Sequence, residues 1–309
     1  MKSLAIVIPA YKANFFRDAL ESLALQTNKN FTVYIGDDCS PENLFSIVDE
    51  YKSRVDLVYH RFENNMGGVD LVGQWERCVG LTRDEPWIWL FSDDDVLEEC
   101  CVEEFFKRIE RQESGELYHF NVNVIDECGR IISRTSFPPF LTAKEFAIGK
   151  FRGQLKSYVV EYIFSRRIYE QIGGFSKYDM AWNADDATWI KMAMIDKIRT
   201  IDGAHVNWRK SMVNISPNAR DKKIVNRKID ADLKYIKFVS SCFPGFIYNL
   251  RLGISIVTWF CVNMIKYSAV VSASEQKERI MNCLGILNMR FLTPLVFLYL
   301  EKKRRKLLK

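Results

Sequence analysis

Trp87-Ile88-Trp89-Leu90-Phe91-Ser92-Asp93-Asp94-Asp95 is an apolar, aromatic run that ends in three successive carboxylates. The run suits a buried strand. Three like charges at its end are costly unless something positive meets them there. Hard divalent cations such as Mg²⁺ or Mn²⁺ take carboxylate oxygens and bridge them to substrate phosphates. The competing reading is a solvated acidic turn that stops the strand and caps a helix beginning near Leu97. The flanking sequence decides between the two.

On the N-terminal side, strands and helices alternate. Leu4 to Ile8 is a β-rich run stopped by Pro9, and Phe15, Phe16, Ala19, Leu20, Leu23 and Ala24 follow helical spacing. Phe31 to Ile35 is a second strand, ending at Gly36-Asp37-Asp38-Cys39-Ser40-Pro41. A helix over about 42–53, a third strand at Val55 to His60, a polar turn at Asn64-Asn65-Met66-Gly67-Gly68 and a helix over about 69–81 complete the series. This is the pattern of a Rossmann-like α/β fold, a mostly parallel sheet flanked by helices. Ligands of such sheets lie beyond the carboxyl ends of the strands. Pro9-Ala10-Tyr11, Asp37-Asp38, Asn64 to Gly68 and Asp93-Asp94-Asp95 all fall on that edge, which favours a site over a solvated turn. Pro9-Ala10-Tyr11-Lys12 stands where a glycine-rich dinucleotide loop or a Walker loop would follow the first strand. Phosphate is therefore expected to be held through metal rather than by a backbone cradle.

On the C-terminal side the pattern predicts a helix over about 98–112 and a strand at Leu117 to Ile125. A turn at Glu127 to Arg130 leads to a pairing partner at Ile131 to Ser133. Then come a helix at 142–150, a strand at Tyr158 to Phe164 and a short helix from Arg166 to Ile172, ending in Gly173-Gly174-Phe175. After a loop holding Tyr178 and Trp182, Asp185-Asp186 opens a helix through Ile195, and a basic strand runs from Ala204 to Arg209. The expected division is one α/β domain over 1–215, with a nucleotide-binding half at 1–96 and an acceptor half at 97–215. A helical region at 216–309 follows.

That last region changes character. Leu252 to Ile265 is uncharged, and Leu284 to Leu300 is broken only by Arg290. Neither reaches the roughly 20 residues that span a bilayer comfortably. Followed by Glu301-Lys302-Lys303-Arg304-Arg305-Lys306, they suit helices lying on an anionic cytoplasmic leaflet. The alternative is a helical subdomain or homodimer interface that buries the same side chains. The net charge of +5 gathers in this tail, so it carries no argument for nucleic acid as a partner. With 309 residues, 48% of them hydrophobic, there is room for a sizeable core. The eight cysteines show no metal-ligand spacing and read as reduced thiols. The N-terminal apolar run is too short for a secretory segment. A cytoplasmic protein, peripheral on the inner membrane's cytoplasmic face, is expected.

Val7-Ile8-Pro9-Ala10-Tyr11, Asp37-Asp38-Cys39-Ser40, Asn64 to Gly68, Asp93-Asp94-Asp95, Ile172-Gly173-Gly174-Phe175 and Asp185-Asp186, in this order and spacing, resemble the family 2 inverting glycosyltransferases with the A-type (GT-A) fold. The resemblance covers about residues 3–212. It implies that Pro9, Ala10 and Tyr11 lie against the nucleotide base, that Asp38 bonds the base or ribose with Asp37 beside it, and that Gly67 and Gly68 line the nucleotide. It implies Asp94 as the main metal carboxylate, Asp93 facing ribose or phosphate, and Asp95 completing the metal shell. Gly173, Gly174 and Phe175 would underlie the donor sugar and acceptor, and Asp186 would be the catalytic base. Asp185 and Trp182 are candidates for acceptor or sugar contact, and His205 and Arg209 for the diphosphate. Two departures stand out: Ser92 replaces an acidic residue, and Gln74-Trp75-Glu76-Arg77 stands where the family often has Arg-Asn.

The residue types suit the chemistry so implied. Displacing a nucleoside diphosphate from an anomeric carbon develops negative charge that a metal offsets. A carboxylate on the opposite side can take the acceptor hydroxyl's proton. One direct displacement inverts the anomeric centre, as in inverting glycosidases with water replaced by the acceptor. The expectation is an Mn²⁺- or Mg²⁺-dependent enzyme that moves sugar from a nucleotide-sugar, a UDP-sugar first, to a glycan or lipid-linked acceptor in surface polysaccharide synthesis. The rivals are a nucleotidyltransferase and a non-catalytic membrane-bound scaffold.

Overall fold

The computed structural model describes residues 2–111, 115–211, 220–244 and 246–307. In chain order the elements are β1 (Leu4–Ala10), α1 (Phe16–Ala24), β2 (Phe31–Asp37), α2 (Leu44–Asp49), β3 (Leu57–Arg61), α3 (Leu71–Val79), β4 (Trp87–Leu90), β5 (Val96–Leu97) and α4 (Cys101–Glu110). There follow β6 (Leu117–Ile125), β7 (Ile131–Arg134), β8 (Phe140–Leu141), α5 (Ala143–Phe151), β9 (Tyr162–Ser165), α6 (Arg166–Gln171), α7 (Ala184–Ile195) and β10 (Ile198–Arg209). The chain closes with α8 (Lys222–Cys242), α9 (Phe246–Lys266), α10 (Ala273–Ile286) and α11 (Thr293–Leu307).

The chain divides into two compact units, residues 1–143 with 157–213, and 144–156 with 214–309. The boundary expected at 215–216 lies outside the described residues. Helix α5 from Lys144 onward belongs to the second unit, not to the α/β domain expected over 1–215. Its Phe151 ring packs at 5.5 Å from Tyr235 and 5.1 Å from Trp259, and Arg152 Nε donates to Ser255 Oγ at 3.1 Å.

In the first unit the strands form one mixed sheet in the order β3-β2-β1-β4-β9-β6-β10-β5, with β7 beside β6 and β8 beside β10. Strands β3, β2, β1 and β4 run parallel; β9 enters antiparallel to both β4 and β6. Apolar side chains of β1, β2 and β4 are buried on both faces, as a sheet covered on both sides requires.

Pro9 does not stop β1, which runs on to Ala10. Val7 O accepts from Phe91 N and Ala10 O from Asp38 N, so alternate residues face β4 and β2. Pro9 thus faces the side of β4, whose pairing with β1 ends at Leu90. A missing N–H is harmless there.

Strand β10 begins at Ile198, six residues before the expected start. A bulge between Ile201 and His205 interrupts its pairing with β6, with Gly203 at φ +94. Asp202-Gly203 therefore bends one strand rather than separating two elements.

The strand order also explains the opening motif. Strands β4 and β5 are separated by β9, β6 and β10, so Phe91 to Asp95 must cross from mid-sheet to its edge. The acidic triplet lies on that crossing.

In the second unit, Asp221 caps α8 by accepting from Lys223 N at 2.7 Å and Ile224 N at 3.2 Å, and Ser272 with Glu275 forms a capping box on α10. The apolar stretch 284–300 is not one helix. After α10, Asn288 adopts φ +54, Met289 N bonds Leu284 O and Asn288 N bonds Gly285 O. That is a Schellman ending with asparagine in the left-handed position. Met289 packs against α9 at Gly253, where an added Cβ would lie 2.7 Å from its sulfur.

Candidate active site

The ends of β1 and β4 are clamped together. Asp93 is buried, and its Oδ2 accepts the backbone N–H groups of Tyr11 at 2.7 Å and Lys12 at 2.9 Å. Burial, then the charge of Asp94, push the Asp93 carboxyl up to about 6, while the two N–H donors pull it back. Tyr11 remains 40% exposed beside this clamp.

Asp95 faces the other way. It is 1% exposed and its Oδ1 accepts from Arg209 N at 2.6 Å. Burial and the neighbouring Asp94 raise its carboxyl well above the ordinary range. Asp94, between them, is partly exposed and accepts from Ser92 Oγ at 2.6 Å. Ser92, the residue that departs from the family text, thus orients the most accessible carboxylate of the three.

The end of β2 forms a second cluster. Asp38 is 4% exposed; its Oδ1 accepts from Met66 N at 2.7 Å and its Oδ2 from Gly67 N at 2.8 Å. Arg77 of α3 donates to Asp38 Oδ1 and, at 2.8 Å, to Asn64 O, with its guanidinium 3.8 Å above the Phe62 ring. A Cβ on Gly67 would lie 2.6 Å from Asp38 Oδ2, so only glycine lets this turn approach the carboxylate. Gly68 donates to Asn65 Oδ1 at 2.7 Å and closes the turn.

Asp37 is fully buried and structural in its contacts. It accepts from Ser40 N at 2.7 Å and Arg61 Nη1 at 3.0 Å, and Tyr59 donates to it as well. Ser40 Oγ in turn donates to Tyr11 O at 2.7 Å. Cys39, at φ +55, makes the tight corner between these contacts.

The Gly-Gly-Phe segment ends α6. Gly174 N bonds Tyr169 O and Gly173 N bonds Glu170 O, with Gly173 at φ +76 and Gly174 at φ +83. Phe175 is buried, its ring 5.6 Å from Trp75. Ser176 N donates to Thr188 Oγ1 at 2.9 Å and so ties the segment to α7.

Asp185 and Asp186 occupy the first turn of α7, whose N-cap residue is Asn183. Asp186 is therefore not the N-cap residue of this helix. It is 7% exposed, Asp185 and Trp182 are partly exposed, and Tyr178 is buried. Burial first, then the charge of Glu161, raise the Tyr162 phenol well above the ordinary value, with smaller contributions from Asp186 and Asp185. The approach to α7 is strained, with Met180, Ala181 and Asn183 all at positive φ. For non-glycine residues this costs on the order of 1 kcal/mol each, and such strain gathers where a loop is held for function.

His205 and Arg209 turn to the protein. His205 N donates to Glu98 Oε2 at 2.8 Å, and its Nδ1 lies 3.3 Å from the same oxygen. Arg209 is 3% exposed; it donates to Asp94 O at 2.9 Å, Glu127 O at 3.1 Å and Asp18 Oδ2 at 2.9 Å, and lies 4.3 Å from the Phe15 ring.

Arg61 and Glu76 gained no role from sequence. The signal for Arg61 was available: it stands at the carboxyl end of β3, the same edge that marked the other loops. Glu76 gave no such signal, since its partners come from residues about a hundred positions later.

Among the described residues, no three or more His, Cys, Asp or Glu side chains form a metal-binding group. The single accessible carboxylate of Asp94 nevertheless fits Mg²⁺-type ions, which bind through one or two carboxylates plus substrate phosphates.

Comparison with known proteins follows the same outline. The model of glycosyl transferase family 2 matches residues 5–167. A poly(ribitol-phosphate) β-N-acetylglucosaminyltransferase, TarS, of Staphylococcus aureus is 31% identical over 98 residues, 31% of this chain and 16% of the relative. An uncharacterized glycosyltransferase of Haemophilus influenzae is 27% identical over 177 residues, 56% of each chain. The chain thus spans only part of the length of these relatives. Among solved structures, S. aureus TarS 1-349 in complex with UDP-GlcNAc superposes with a TM-score of 0.58 at 16% identity, covering 99% of this chain and 92% of the other. The mannosyltransferase PcManGT of Pyrobaculum calidifontis, in complex with GDP-Man and Mn²⁺, gives 0.52 at 12% identity, covering 96% and 86%. These likenesses establish the GT-A architecture.

Proposed function

The chain belongs to glycosyl transferase family 2, and on that premise we propose a nucleotide-sugar glycosyltransferase that carries out a metal-dependent, inverting transfer from a UDP-sugar to a hydroxyl of a glycan or lipid-linked acceptor. The observation that carries this reading is the unequal fate of the three carboxylates. Asp93 and Asp95 are buried and accept backbone N–H groups, whereas Asp94 stays accessible at the carboxyl edge of the sheet.

In this reading Asp94, with the donor's diphosphate, holds Mg²⁺ or Mn²⁺, which when bound offsets the charge gathering on the leaving phosphate. Tyr11 offers a ring face to the base, and Asp38, fixed by Arg77 and the Gly67 turn, accepts from base or ribose. Asp186 takes the proton of the attacking hydroxyl at its carboxylate oxygen. The Gly173-Gly174-Phe175 segment positions sugar and acceptor. The UDP-GlcNAc named for TarS supports the choice of a UDP-sugar, and the Mn²⁺ named for PcManGT, whose own complex is with GDP-Man, supports the choice of ion.

The test measures UDP release from a panel of UDP-sugars with Mn²⁺ and varied acceptors. Asp186→Asn should abolish transfer and leave metal-dependent UDP binding nearly intact, while Asp94→Asn should weaken that binding. No sugar-dependent UDP release from the parent protein would favour a non-catalytic scaffold.

A peripheral membrane location belongs to the same proposal. Among the described residues no helix is long and apolar enough to cross a bilayer. Yet Phe291, Leu295 and Leu298 are 61%, 64% and 63% exposed, just before the basic run Lys302 to Lys306. Apolar side chains beside basic ones suit an anionic lipid surface. Cosedimentation with vesicles containing anionic lipid should fall on Leu295→Glu/Leu298→Glu. Concentration-dependent dimerisation lost in that variant, with no vesicle binding by the parent, would assign the face to self-association.

A further inference from the structure

Helix α3 carries two neighbouring side chains that reach in different directions. Arg77 grips Asp38, on the nucleotide side. Glu76, one residue earlier, grips the Gly-Gly-Phe segment: its Oε1 accepts the backbone N–H of Phe175 at 2.6 Å, and its Oε2 accepts the Tyr169 hydroxyl. Burial first, then this carboxylate, push the Tyr169 phenol far above its ordinary value, so it remains a donor throughout the physiological range.

The contact is built to close tolerance. Gly174 stands at φ +83, and a Cβ there would lie 2.5 Å from Glu76 Oε1. Trp75, the preceding residue of α3, packs edge-on to Phe175 at 5.6 Å. Beyond Phe175, Ser176 N bonds Thr188 Oγ1, and Thr188 Oγ1 bonds Ala184 O on the first turn of α7, which carries Asp186. A continuous path of hydrogen bonds and helix thus runs from Asp38 through α3 and residues 174–176 to the helix of the proposed base.

We propose that Glu76 is a positioning residue that sets residues 173–176, and through them α7, relative to the nucleotide site. This rests on the transferase reading above. Glu76 touches neither donor nor acceptor in this scheme; it fixes the surface on which the donor sugar and attacking hydroxyl are aligned. Misalignment near 1 Å at a reacting centre costs up to about a hundredfold in rate, with little effect on a nucleotide held elsewhere.

Glu76→Gln keeps an acceptor for Phe175 N–H and a polar partner for Tyr169; Glu76→Ala keeps neither. Steady-state transfer with the parent's best UDP-sugar should show kcat down about tenfold or more in Glu76→Ala, UDP affinity within about twofold, and recovery to within about threefold in Glu76→Gln. Unchanged kcat in Glu76→Ala overturns the proposal, as does a UDP affinity that falls in parallel with kcat. Tyr169→Phe, which retains the packing, guards against a variant that fails to fold and should lower kcat about threefold. Amide exchange provides a readout independent of turnover: Phe175 and Ser176 should exchange faster in Glu76→Ala while Asp38 to Ser40 do not. Equal acceleration of both segments, or of neither, overturns the proposal. A parent enzyme without turnover would refute the transferase reading alone, since the exchange measurement still decides the anchoring.

Discussion

Arg209 and Asp95 meet across 114 residues of sequence, with the backbone N–H of Arg209 donating to Asp95 Oδ1 at 2.6 Å. The side chain of the same arginine donates to the carbonyl of Asp94 at 2.9 Å. One residue on the last strand of the sheet therefore fixes both the buried carboxylate and the backbone of the accessible one. Its guanidinium is buried, and removing it strips the carbonyls of Asp94 and Glu127 of these donors while the backbone N–H still holds Asp95.

Arg209→Met should accordingly lower unfolding free energy by on the order of 2 kcal/mol, measured by urea denaturation. A direct diphosphate role would look different, with donor KM raised and the unfolding midpoint unmoved.

Arg77 reaches Asp38 and the Asn64 carbonyl together. Charge-assisted contacts of a planar guanidinium are poorly replaced by an ammonium. Arg77→Lys should weaken UDP binding about tenfold, the equivalent of roughly 1.4 kcal/mol, by titration calorimetry. An unaltered affinity would mean that Asp38 is held adequately by the Met66 and Gly67 N–H groups alone.

Gly67→Ala places a methyl 2.6 Å from Asp38 Oδ2. The turn must move, and the expected cost is about 1–3 kcal/mol together with loss of UDP affinity. Gly129→Ala is the control. Gly129 has a φ of +79, which Gly67 does not share, but a Cβ there meets nothing within 4 Å, so the substitution should cost about 1 kcal/mol and leave UDP binding alone.

His119 predicts the acid limb of stability. It is wholly buried, with Nε2 at 2.9 Å from Thr200 Oγ1 and Nδ1 at 3.0 Å from Phe120 O. Burial lowers its pKa from 6.5 to about 4. The unfolded chain therefore takes up a proton that the folded protein refuses, and this contribution is complete above pH 6.5 and lost as pH falls towards 4. At about 1.4 kcal/mol per pH unit, the window is worth on the order of 3 kcal/mol. In His119→Phe, stability measured by denaturant titration should change less steeply between pH 6.5 and 4 than in the parent. Parallel slopes in the two proteins would count against this assignment.

The α/β pattern and most elements were legible in the chain because strand and helix are local periodicities, readable over five to twenty residues. The edge that gathers Tyr11, Asp38 and the acidic triplet was legible for a related reason: alternation orients every parallel strand alike, so their carboxyl ends must converge. The errors were those of local reading. Proline ends a strand only where a backbone N–H is needed at its position, and the strand expected from Ala204 starts at Ile198 because its pairing with β6 accommodates a bulge.

Long-range partners settled the rest. Three adjacent aspartates are chemically identical in sequence. They differ once Tyr11 and Lys12 take Asp93, Arg209 takes Asp95, and Ser92 is left to orient Asp94. Glu76 reads as one more charged helical residue until Phe175 and Tyr169 arrive from another strand–helix unit. Composition and periodicity determine which groups reach the working edge of the sheet. Burial and pairing, which depend on segments far apart in the chain, determine which of those groups remain accessible to act there.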